Sequence, residues 1–341
     1  MKSWKIGIVG AGLIADFHAK AIGDIENATL VGVCDSGSGS GKKLANRYNC
    51  EYFEDYKKLI ASESVEIITI ATPSGFHLEP TLFAARHKKH VLCEKPIEIT
   101  TERIDLMIEA HEKSGTYLGC IFPYRYIKSS EVIKKAITDG RFGTITYASV
   151  NIPWWREETY YSKSNWHGTW KLDGGGALMN QSIHMIDTLI HLMGPVKKVL
   201  AFADSIGHDI ETEDTAVAIL QFENNALGTI YGSTAAYPGQ FRQLEIRGTK
   251  GSVVQIEDSI SSWQFADETP EDEKIRKEFS KIDGGGGVAD PAAIPYETHT
   301  KNFQAFLHAI EKNAPYEING YEAKKSVELI QNIYKSAGLR G

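Results

Sequence analysis

One short segment decides the fold of the first part of this 341-residue chain: Ile6-Gly7-Ile8-Val9-Gly10-Ala11-Gly12-Leu13-Ile14-Ala15. Its apolar start is typical of a buried strand, and the glycine turn that follows opens an amphipathic segment typical of a helix. Gly10 allows a tight turn, Gly12 lets the backbone approach a diphosphate, and Ala15 keeps the helix close to the strand. The N–H groups and dipole of a helix N-terminus favour such an anion. The segment therefore predicts a dinucleotide-binding loop, and a tight turn that binds no ligand is the alternative.

Short apolar runs alternate with longer amphipathic segments as far as residue 122. The apolar runs are Lys5–Val9, Thr29–Cys34, Ile67–Ala71, His90–Cys93 and Tyr117–Phe122. The segments between them include Ile14–Ile22, Lys42–Tyr48, Leu78–Arg86 and Thr101–Lys113. This alternation predicts βαβ units, and strands that are apolar throughout are typical of a parallel sheet covered on both faces. We therefore expect residues 1–122 to form a doubly wound α/β domain.

The pattern becomes rich in strands after a helix predicted at Ser129–Thr138. The predicted strands are Ile145–Ile152, Val196–Phe202, Thr215–Phe222, Ala226–Thr234, Gln243–Arg247 and Ser252–Ile256. Further helices are predicted at Gly176–Leu192, His299–Glu311 and Tyr321–Ser336. Turn segments such as Glu223-Asn224-Asn225 favour antiparallel pairing of neighbouring strands. We expect residues 123–341 to form an α+β domain with a large, mostly antiparallel open sheet.

The open face of this sheet and the segment 267–298 lead to two further expectations. The helices can cover one face of such a sheet, and the open face predicts contact with another copy of the chain in a homodimer or homotetramer. Residues 267–298 are charged, then glycine-rich, and we interpret them as a surface excursion, with an active-site lid as the alternative.

Composition and charge exclude several classes of protein. Lys and Arg number 37 and Asp and Glu number 44, which gives a net charge of −7 and argues against a nucleic-acid partner. No apolar run approaches the roughly 18 residues that a membrane span needs. The first strand follows the N-terminal Met so closely that a signal peptide does not fit, so we expect a cytoplasmic protein. The four cysteines lack metal-ligand spacing, and we interpret them as packing residues and predict no metal site.

Asp35 ends the second predicted strand and bears on the choice of cofactor. A carboxylate at this position accepts hydrogen bonds from the adenosine ribose and repels a 2′-phosphate. No arginine follows directly, and the next cations are Lys42 and Lys43. These observations favour NAD over NADP, and a plain loop aspartate is the alternative.

The segment Cys93-Glu94-Lys95-Pro96 closes the fourth apolar run. Doubly wound folds bind their ligands beyond the carboxyl ends of their strands, so a lysine here points toward the ligand crevice. A solvated surface lysine is the alternative.

The helix predicted after Gly174-Gly175-Gly176 carries one polar line, and most of its other positions are apolar. Asn180, His184, Asp187 and His191 are spaced by four, three and four residues, which puts them on one face. We interpret His184 with Asn180 as catalytic, with satisfied core polar residues as the alternative, and we interpret His191 as a core residue. A metal site of His184 and Asp187 would have only two ligands, which do not define one.

Together these residues resemble the Gfo/Idh/MocA family of oxidoreductases, which includes glucose-fructose oxidoreductase and inositol dehydrogenase. The motifs that carry the resemblance are Gly10-x-Gly12-x-x-Ala15, Thr72-Pro73-Ser74 with His77, Glu94-Lys95-Pro96, and Gly174-Gly175-Gly176 leading to His184 and Asp187. The resemblance covers nearly the whole chain. It implies an N-terminal Rossmann domain and a C-terminal domain whose open sheet mediates oligomerisation. It also implies that Lys95 lies beside the nicotinamide with a cis bond to Pro96, and that His184 is the acid/base residue.

At three positions this chain differs from the residue that is usual in the family. Many relatives have Asp where this chain has Asn180, so His184 and Lys95 must carry more of the proton transfer. A subgroup that acts on sugars and sugar nucleotides resembles this chain from Trp155 to Trp170, but usually shows Arg where His167 stands. Arg125 resembles a family arginine near the active site, although the preceding Pro123 replaces the more usual amide.

The motifs and the resemblance give the candidate site residues. Those predicted to bind the cofactor are Gly10, Gly12, Leu13, Ile14, Asp35, Ser36, Thr72, Pro73, Ser74, His77, Glu94, Lys95, Arg125 and Trp166. Those predicted to bind substrate are Lys95, Tyr161, Trp170, Asn180 and His184, and Trp166 also belongs to the candidate aromatic wall. Aromatic rings suit the C–H faces of sugars, and core or interface packing is the alternative for each.

The resemblance implies an NAD-dependent oxidoreductase that moves a hydride between nicotinamide and a secondary hydroxyl or ketone of a sugar, cyclic polyol or sugar derivative. In oxidation His184 would take the hydroxyl proton, and the ammonium of Lys95 would stabilise the developing alkoxide. This mechanism requires the nicotinamide ring to lie between Lys95 and His184. The alternatives are an NAD-dependent glycoside hydrolase of the same fold and a non-catalytic dinucleotide-binding regulator.

Overall fold

The computed structural model describes residues 2–281 and 296–339 and divides the chain into two compact units. Unit 1 takes residues 1–123, 171–174 and 295–327, and unit 2 takes residues 124–170, 175–294 and 328–341. The glycine run at 284–287, part of the expected surface excursion, lies outside the described residues. Among the described residues, no helix combines the length and the apolar character needed to cross a bilayer.

The strands and helices follow the expected alternation, with additions. The strands are β1 (Trp4–Val9), β2 (Ala28–Cys34), β3 (Glu51–Phe53), β4 (Ile67–Ile70), β5 (His90–Cys93), β6 (Leu118–Cys120), β7 (Ile145–Pro153), β8 (Val196–Asp204), β9 (Thr215–Phe222), β10 (Leu227–Ser233), β11 (Gln243–Gly248), β12 (Gly251–Ile256) and β13 (Ser259–Phe265). The α-helices are α1 (Leu13–Gly23), α2 (Ser40–Tyr48), α3 (Tyr56–Ala61), α4 (Leu78–Arg86), α5 (Thr101–Ser114), α6 (Lys128–Thr138), α7 (Glu158–Ser162), α8 (Ile183–Met193), α9 (Pro270–Glu278), α10 (Glu297–Lys312) and α11 (Gly320–Ser336).

Unit 1 is built on a six-stranded parallel sheet in the order β3-β2-β1-β4-β5-β6. The central strands are apolar on both faces, and Ile6, Ile8 and Ile68 are fully buried, as a sheet covered by helices on both sides requires. The strand order reverses between β1 and β4, so the loops that follow these two strands are neighbours. This arrangement confirms the doubly wound α/β fold expected from the sequence.

The chain returns to unit 1 after leaving it, which differs from a single boundary at residue 122. Helix α10 packs on α1, and the rings of Phe303 and His18 lie 5.4 Å apart. The side chain of Asn302 accepts a hydrogen bond from the backbone N–H of Phe122 at 3.0 Å. The amphipathic pattern of α10 predicts a helix with one buried face, but it does not say which sheet that face covers.

Unit 2 contains a seven-stranded sheet in the order β13-β12-β11-β7-β10-β9-β8. Neighbouring strands pair antiparallel except β7 and β10, which run parallel, so the expected mostly antiparallel sheet is confirmed. Ala148, Val150 and Ile152 are buried on the face of β7, and α8 contacts this strand.

Part of the segment expected as a surface excursion is a packed helix. Helix α9 lies against β13, two elements that the sequence analysis missed. Asp272 is fully buried and accepts hydrogen bonds from the backbone N–H of Thr269, the indole of Trp263 at 2.6 Å and the guanidinium of Arg141 at 2.8 Å. The carboxylate thus caps α9 and fixes it to the sheet.

Replacement of Asp272 by Asn should lower the free energy of unfolding by about 2 kcal/mol at neutral pH, because buried donors lose a charged acceptor. The hydrogen bond from Arg141 holds the pKa of Asp272 below its ordinary 3.8, although burial acts in the opposite direction. This stabilisation is therefore present above about pH 4 and is lost as the pH falls toward the folded-state pKa.

Urea unfolding of the wild type and Asp272→Asn over this pH range would measure the difference. Asp139→Asn is the matched control, since Asp139 forms an exposed i,i+4 pair with Lys135 and its loss should cost less than about 0.5 kcal/mol. A difference for Asp272→Asn that stays constant down to about pH 3 would contradict the linkage to this carboxyl.

Candidate active site

The glycine loop of unit 1 has the geometry that a diphosphate needs. Gly10 has a φ of 109°, and a Cβ there would overlap the carbonyl of Ala71, so the turn requires glycine. Gly12 begins α1 without a side-chain cap, and no heavy atom lies within 4 Å of where its Cβ would be. Leu13 is 54% exposed beside it. The open helix N-terminus and the exposed apolar side chain fit a dinucleotide.

Asp35 lies at the end of β2, and its carboxylate is held by the loop that follows. Its Oδ2 accepts hydrogen bonds from the hydroxyl of Ser38 at 2.6 Å and from the backbone N–H of Gly41 at 3.2 Å. The ammonium of Lys42 lies over the ring of Tyr52, 5.3 Å from its centroid. A fixed carboxylate after the second strand fits a ribose, and the predicted neighbour Ser36 is exposed beside it.

The loop after β4 carries a second group of predicted cofactor contacts, Thr72, Pro73, Ser74 and His77. The hydroxyl oxygen of Thr72 is buried and has no hydrogen-bond partner among the described residues. Such a group fits a loop that completes its hydrogen bonds with a bound molecule. His77 is buried, with Nδ1 3.0 Å from the carbonyl of Pro96 and Nε2 2.9 Å from the carbonyl of Thr72. It therefore connects the Thr72 loop with the Lys95 turn.

The Lys95–Pro96 peptide is cis, as the resemblance implies. Glu94 holds the backbone of this turn, because its Oε2 accepts a hydrogen bond from the N–H of Lys95 at 3.0 Å. Its Oε1 lies 2.8 Å from Nε2 of His18, whose Nδ1 is 2.9 Å from the hydroxyl of Thr69. The lysine turn is thus tied to α1, the helix that begins at the glycine loop.

Burial disfavours the charged forms of both Glu94 and His299. For the Glu94 carboxyl, nearby positive charge outweighs this effect. Burial alone would raise the pKa of Glu94, whereas the hydrogen bond from His18 and nearby positive charge lower it to about 2. Burial lowers the pKa of His299 to about 4. The ligand atoms of His18, Glu94 and His299 lie within 4.8 Å of one another. Because His18 uses both ring nitrogens for hydrogen bonds, we interpret this cluster as hydrogen-bonded, not metal-binding.

The candidate catalytic helix of unit 2 is not α-helical throughout. Residues Ala177–Ser182 form a π-helix that runs directly into α8, whereas the sequence spacing assumed an α-helix from the start. Asn180, His184 and His191 are half-buried on a helix whose other residues are nearly all buried. That these residues share one face stays a prediction, because the expected spacing assumed α-helical winding at Asn180. A π segment of this kind is typical of functional sites.

Asp187 is the buried member of that line and pairs with Arg125. The guanidinium of Arg125 donates from Nε at 2.8 Å and from Nη2 at 2.7 Å to the two carboxylate oxygens. Both side chains are almost completely buried. Arg125, expected to contact the cofactor, thus holds its own segment to α8, and any contact with a cofactor stays a prediction.

The imidazole of His184 is packed from one side by Tyr124. The two ring centroids lie 4.8 Å apart, and the guanidinium of Arg242 lies 3.8 Å from the Tyr124 ring. Arg242 is itself buried and paired with Asp258. Arg242 lies 58 positions from His184 along the chain and in no motif, so no local pattern of the sequence points to it.

Gln181 is a second residue that the sequence analysis missed. Its Nε2 donates to Oδ1 of Asn180 at 3.0 Å and to the hydroxyl of Tyr160 at 2.8 Å. Its Oε1 accepts from the guanidinium of Arg156 at 2.8 Å. This network orients the side chain of Asn180, and the position of Gln181 next to Asn180 in sequence was the available signal.

The aromatic candidates differ in how exposed they are. Tyr161 is buried, and its hydroxyl lies 2.8 Å from that of Thr234, which favours the packing alternative. Trp166 and Trp170 are half-buried. The ring of Trp170 lies 5.3 Å from that of Tyr334. A substrate contact of any of these residues stays a prediction.

Comparisons with known proteins agree with this geometry. Residues 4–122 match the model of an oxidoreductase family with an NAD-binding Rossmann fold, and residues 131–254 match the GFO/IDH/MocA C-terminal domain. The chain is 30% identical over 252 residues to the uncharacterized oxidoreductase YrbE of Bacillus subtilis, covering 72% of each chain. It is 25% identical to myo-inositol 2-dehydrogenase of Thermotoga maritima, covering 95% of this chain and 96% of the relative.

A solved structure extends the similarity to the whole fold. The WlbA dehydrogenase of Bordetella pertussis, solved in complex with NADH and UDP-GlcNAcA, superposes with a TM-score of 0.91 at 31% identity. The match covers 99% of this chain and 96% of that one. The chain belongs to the GFO/IDH/MocA family of NAD-binding oxidoreductases.

Proposed function

We propose that this protein is an NAD-dependent dehydrogenase or reductase that acts on a secondary hydroxyl or ketone of a sugar, cyclic polyol or sugar derivative. The observation that carries the proposal is the pair of half-buried polar residues, Asn180 and His184, on a helix that is otherwise almost fully buried. A histidine in this setting suits proton exchange with a bound molecule. The fit of the glycine loop to a dinucleotide supports the same reading.

The proposed chemistry divides between two side chains. Bound nicotinamide supplies a hydride acceptor. His184, backed by Tyr124, takes the proton of the substrate hydroxyl. Lys95 donates hydrogen bonds to the same oxygen and stabilises its developing negative charge. Asn180 orients the substrate as an amide, which unlike a carboxylate has no ionisable group to assist the proton transfer.

The relatives support a ring alcohol as the substrate class. One is named for its action on myo-inositol, and WlbA was solved with a sugar nucleotide. Aromatic surfaces such as Trp166 and Trp170 suit the C–H faces of such rings. We include sugar nucleotides in the proposed class, since the segment around these residues resembles the subgroup that uses them.

His184→Ala and Lys95→Ala should each lower turnover by about 10²-fold or more, because each removes a group that acts on the reacting oxygen. The measurement is NADH formation with UDP-GlcNAcA, myo-inositol and levoglucosan, together with NAD affinity by calorimetry. NAD affinity should stay within a few-fold of wild type for His184→Ala.

His308→Ala is the matched control, since His308 is exposed on α10 and lies outside the candidate site. Unchanged turnover in either site variant would refute its role. Release of an aglycone without net NADH would identify a glycoside hydrolase, and NAD binding without turnover on any ring alcohol would identify a regulator.

We propose NAD as the preferred cofactor because of Asp35. Asp35→Ser should raise the KM for NAD by about tenfold, which corresponds to roughly 1.4 kcal/mol, and should improve the relative use of NADP. Steady-state kinetics with both cofactors would measure the ratio. Glu51→Gln removes a similar charge from an exposed position on β3 and should leave it unchanged. An Asp35→Ser enzyme with the wild-type NAD to NADP ratio would contradict the role of this carboxylate.

We also propose that the open face of the unit 2 sheet binds a second copy of the chain. Leu200 and Phe202 on β8 are 71% and 86% exposed, and they lie opposite the exposed Ile219 and Val217 on β9. Exposed Leu227 on β10 continues this apolar stripe. A contiguous apolar surface of this kind is typical of an interface.

Phe202→Glu should shift the protein to a smaller species, because a charge would be buried in the interface. Sedimentation velocity of the wild type and the variant would show the change. Lys274→Glu on the exposed surface of α9 alters charge by a larger amount and should leave the oligomer intact. A wild-type protein that sediments as a monomer would overturn the proposal.

A further inference from the structure

Glu213 is a buried carboxylate that the proposed reaction does not use. It lies just before β9 and is 1% exposed. Its Oε2 accepts a hydrogen bond from the backbone N–H of Gly176 at 3.0 Å, and its Oε1 accepts from the N–H of Leu178 and the hydroxyl of Tyr334, each at 2.8 Å. The backbone carbonyl of Glu213 also accepts from the N–H of Ala177 at 2.9 Å.

All of these hydrogen bonds except the one from Tyr334 come from the start of the helix that carries Asn180 and His184. The first N–H groups of a helix have no partner within it, and a carboxylate is also favoured there by the helix dipole. Glu213 satisfies three successive residues at this end, Gly176 to Leu178. It therefore acts as the N-terminal cap of the candidate catalytic helix, although it lies far from that helix in sequence.

The glycines before the helix make this contact possible. A Cβ at Gly176 would overlap the carbonyl oxygen of Glu213, and a Cβ at Gly175 would overlap the hydroxyl of Tyr334. Any other residue at either position would push the helix away from its cap. The glycine run thus has a physical role as the surface against which Glu213 and Tyr334 lie.

The π segment explains why the position of this cap matters for chemistry. A π-helix joins residues five apart by its backbone hydrogen bonds, whereas the α-helix that competes with it joins residues four apart. The buried side chains of α8 fix one end of the segment, and Glu213 fixes the other at Gly176 and Leu178. Without the cap, residues 177–182 can relax toward α-helical winding, which would rotate Asn180 relative to His184.

We propose that Glu213 is a positioning residue, which holds the π segment in register and thereby sets the orientation of Asn180 relative to His184. The consequence for turnover rests on the proposed function, whereas the consequence for the helix does not. Tyr334 supports the carboxylate from α11 through its hydroxyl. The proposal assigns Glu213 no contact with substrate or cofactor.

The electrostatics of Glu213 support a role other than stabilisation. Burial raises its pKa to about 7, and the hydrogen bonds from Leu178, Tyr334 and Gly176 only partly oppose this. In the part of the chain that the structure describes, no cation pairs with this carboxylate, and a buried charge that lacks such a partner costs free energy. Its raised pKa means that the stability it contributes is present below about pH 4.5 and is lost as the pH rises through about 7.

The test compares Glu213→Gln and Glu213→Ala with Asp272→Asn in the full-length protein. Asp272 is the matched control, since it is also a buried carboxylate that caps a helix, but α9 carries no candidate site residue. Hydrogen–deuterium exchange of the peptide spanning 176–184 should accelerate in both Glu213 variants and stay unchanged in Asp272→Asn. This measurement needs no substrate.

Turnover is measured with NAD and whichever of UDP-GlcNAcA, myo-inositol and levoglucosan the wild type oxidises. We expect kcat to fall by about 10-fold in Glu213→Gln and about 10²-fold in Glu213→Ala, since misplacement of a reacting group costs this much. NAD affinity should remain within twofold of wild type. Gln keeps one oxygen acceptor and the shape of Glu. We therefore expect Glu213→Gln to retain part of the kcat that Glu213→Ala loses.

Two outcomes would overturn the proposal. One is wild-type exchange of 176–184 in Glu213→Ala, and the other is an equal loss of kcat in Asp272→Asn, which would show a general effect of destabilisation. Accelerated exchange in a protein whose wild type oxidises none of the three compounds would support the positioning of the helix while it contradicts the proposed function. The two ideas therefore fail separately.

Discussion

Buried carboxylates hold the backbone at both places where chemistry is proposed. Glu94 accepts the N–H of Lys95, and Glu213 accepts the N–H groups of Gly176 and Leu178. A buried carboxylate must be satisfied by donors of fixed geometry, because leaving it unpaired costs several kcal/mol. Each one therefore fixes the segment that carries a candidate catalytic residue. The two differ in electrostatics, since His18 and nearby positive charge favour the charged form of Glu94, whereas burial disfavours that of Glu213.

The surroundings of His184 also depend on residues that touch no ligand in the proposed reaction. Tyr124 packs on the imidazole, Arg242 packs on Tyr124, and Arg125 pairs with Asp187 one turn along α8. The ion pair of Arg125 and Asp187 therefore has a structural role in holding α8, although both residues also contribute to the resemblance to a family of enzymes. Such supporting residues restrict the rotamers of the groups they contact, which is what a preorganised site requires.

The two faces of the unit 2 sheet differ in how far their apolar side chains are exposed. The side chains of Ala148, Val150 and Ile152 are buried, as expected of a sheet covered by helices. On β8 and β9 the exposed side chains Leu200, Phe202 and Ile219 are as apolar as those of a core. The alternation of β9, in which Ala218 and Leu220 are buried while Val217 and Ile219 are exposed, gives no hint of which face is covered. Only the structure distinguishes them.

The family and the parallel sheet could be predicted from the sequence, because each shows as a local pattern of spacing and side-chain type. The same kind of pattern predicts the role of the glycine loop and the polar line of Asn180 and His184. Local patterns also predicted most strands and helices, but not β3, β13, α3, α7 or α9. Most of these are short or strongly polar, so they show no clear period. Tertiary structure alone decided that α10 belongs to unit 1, that residues 177–182 are π-helical, and that Glu213 caps them. These features depend on contacts between residues that are distant in sequence. Local sequence patterns do not predict such contacts.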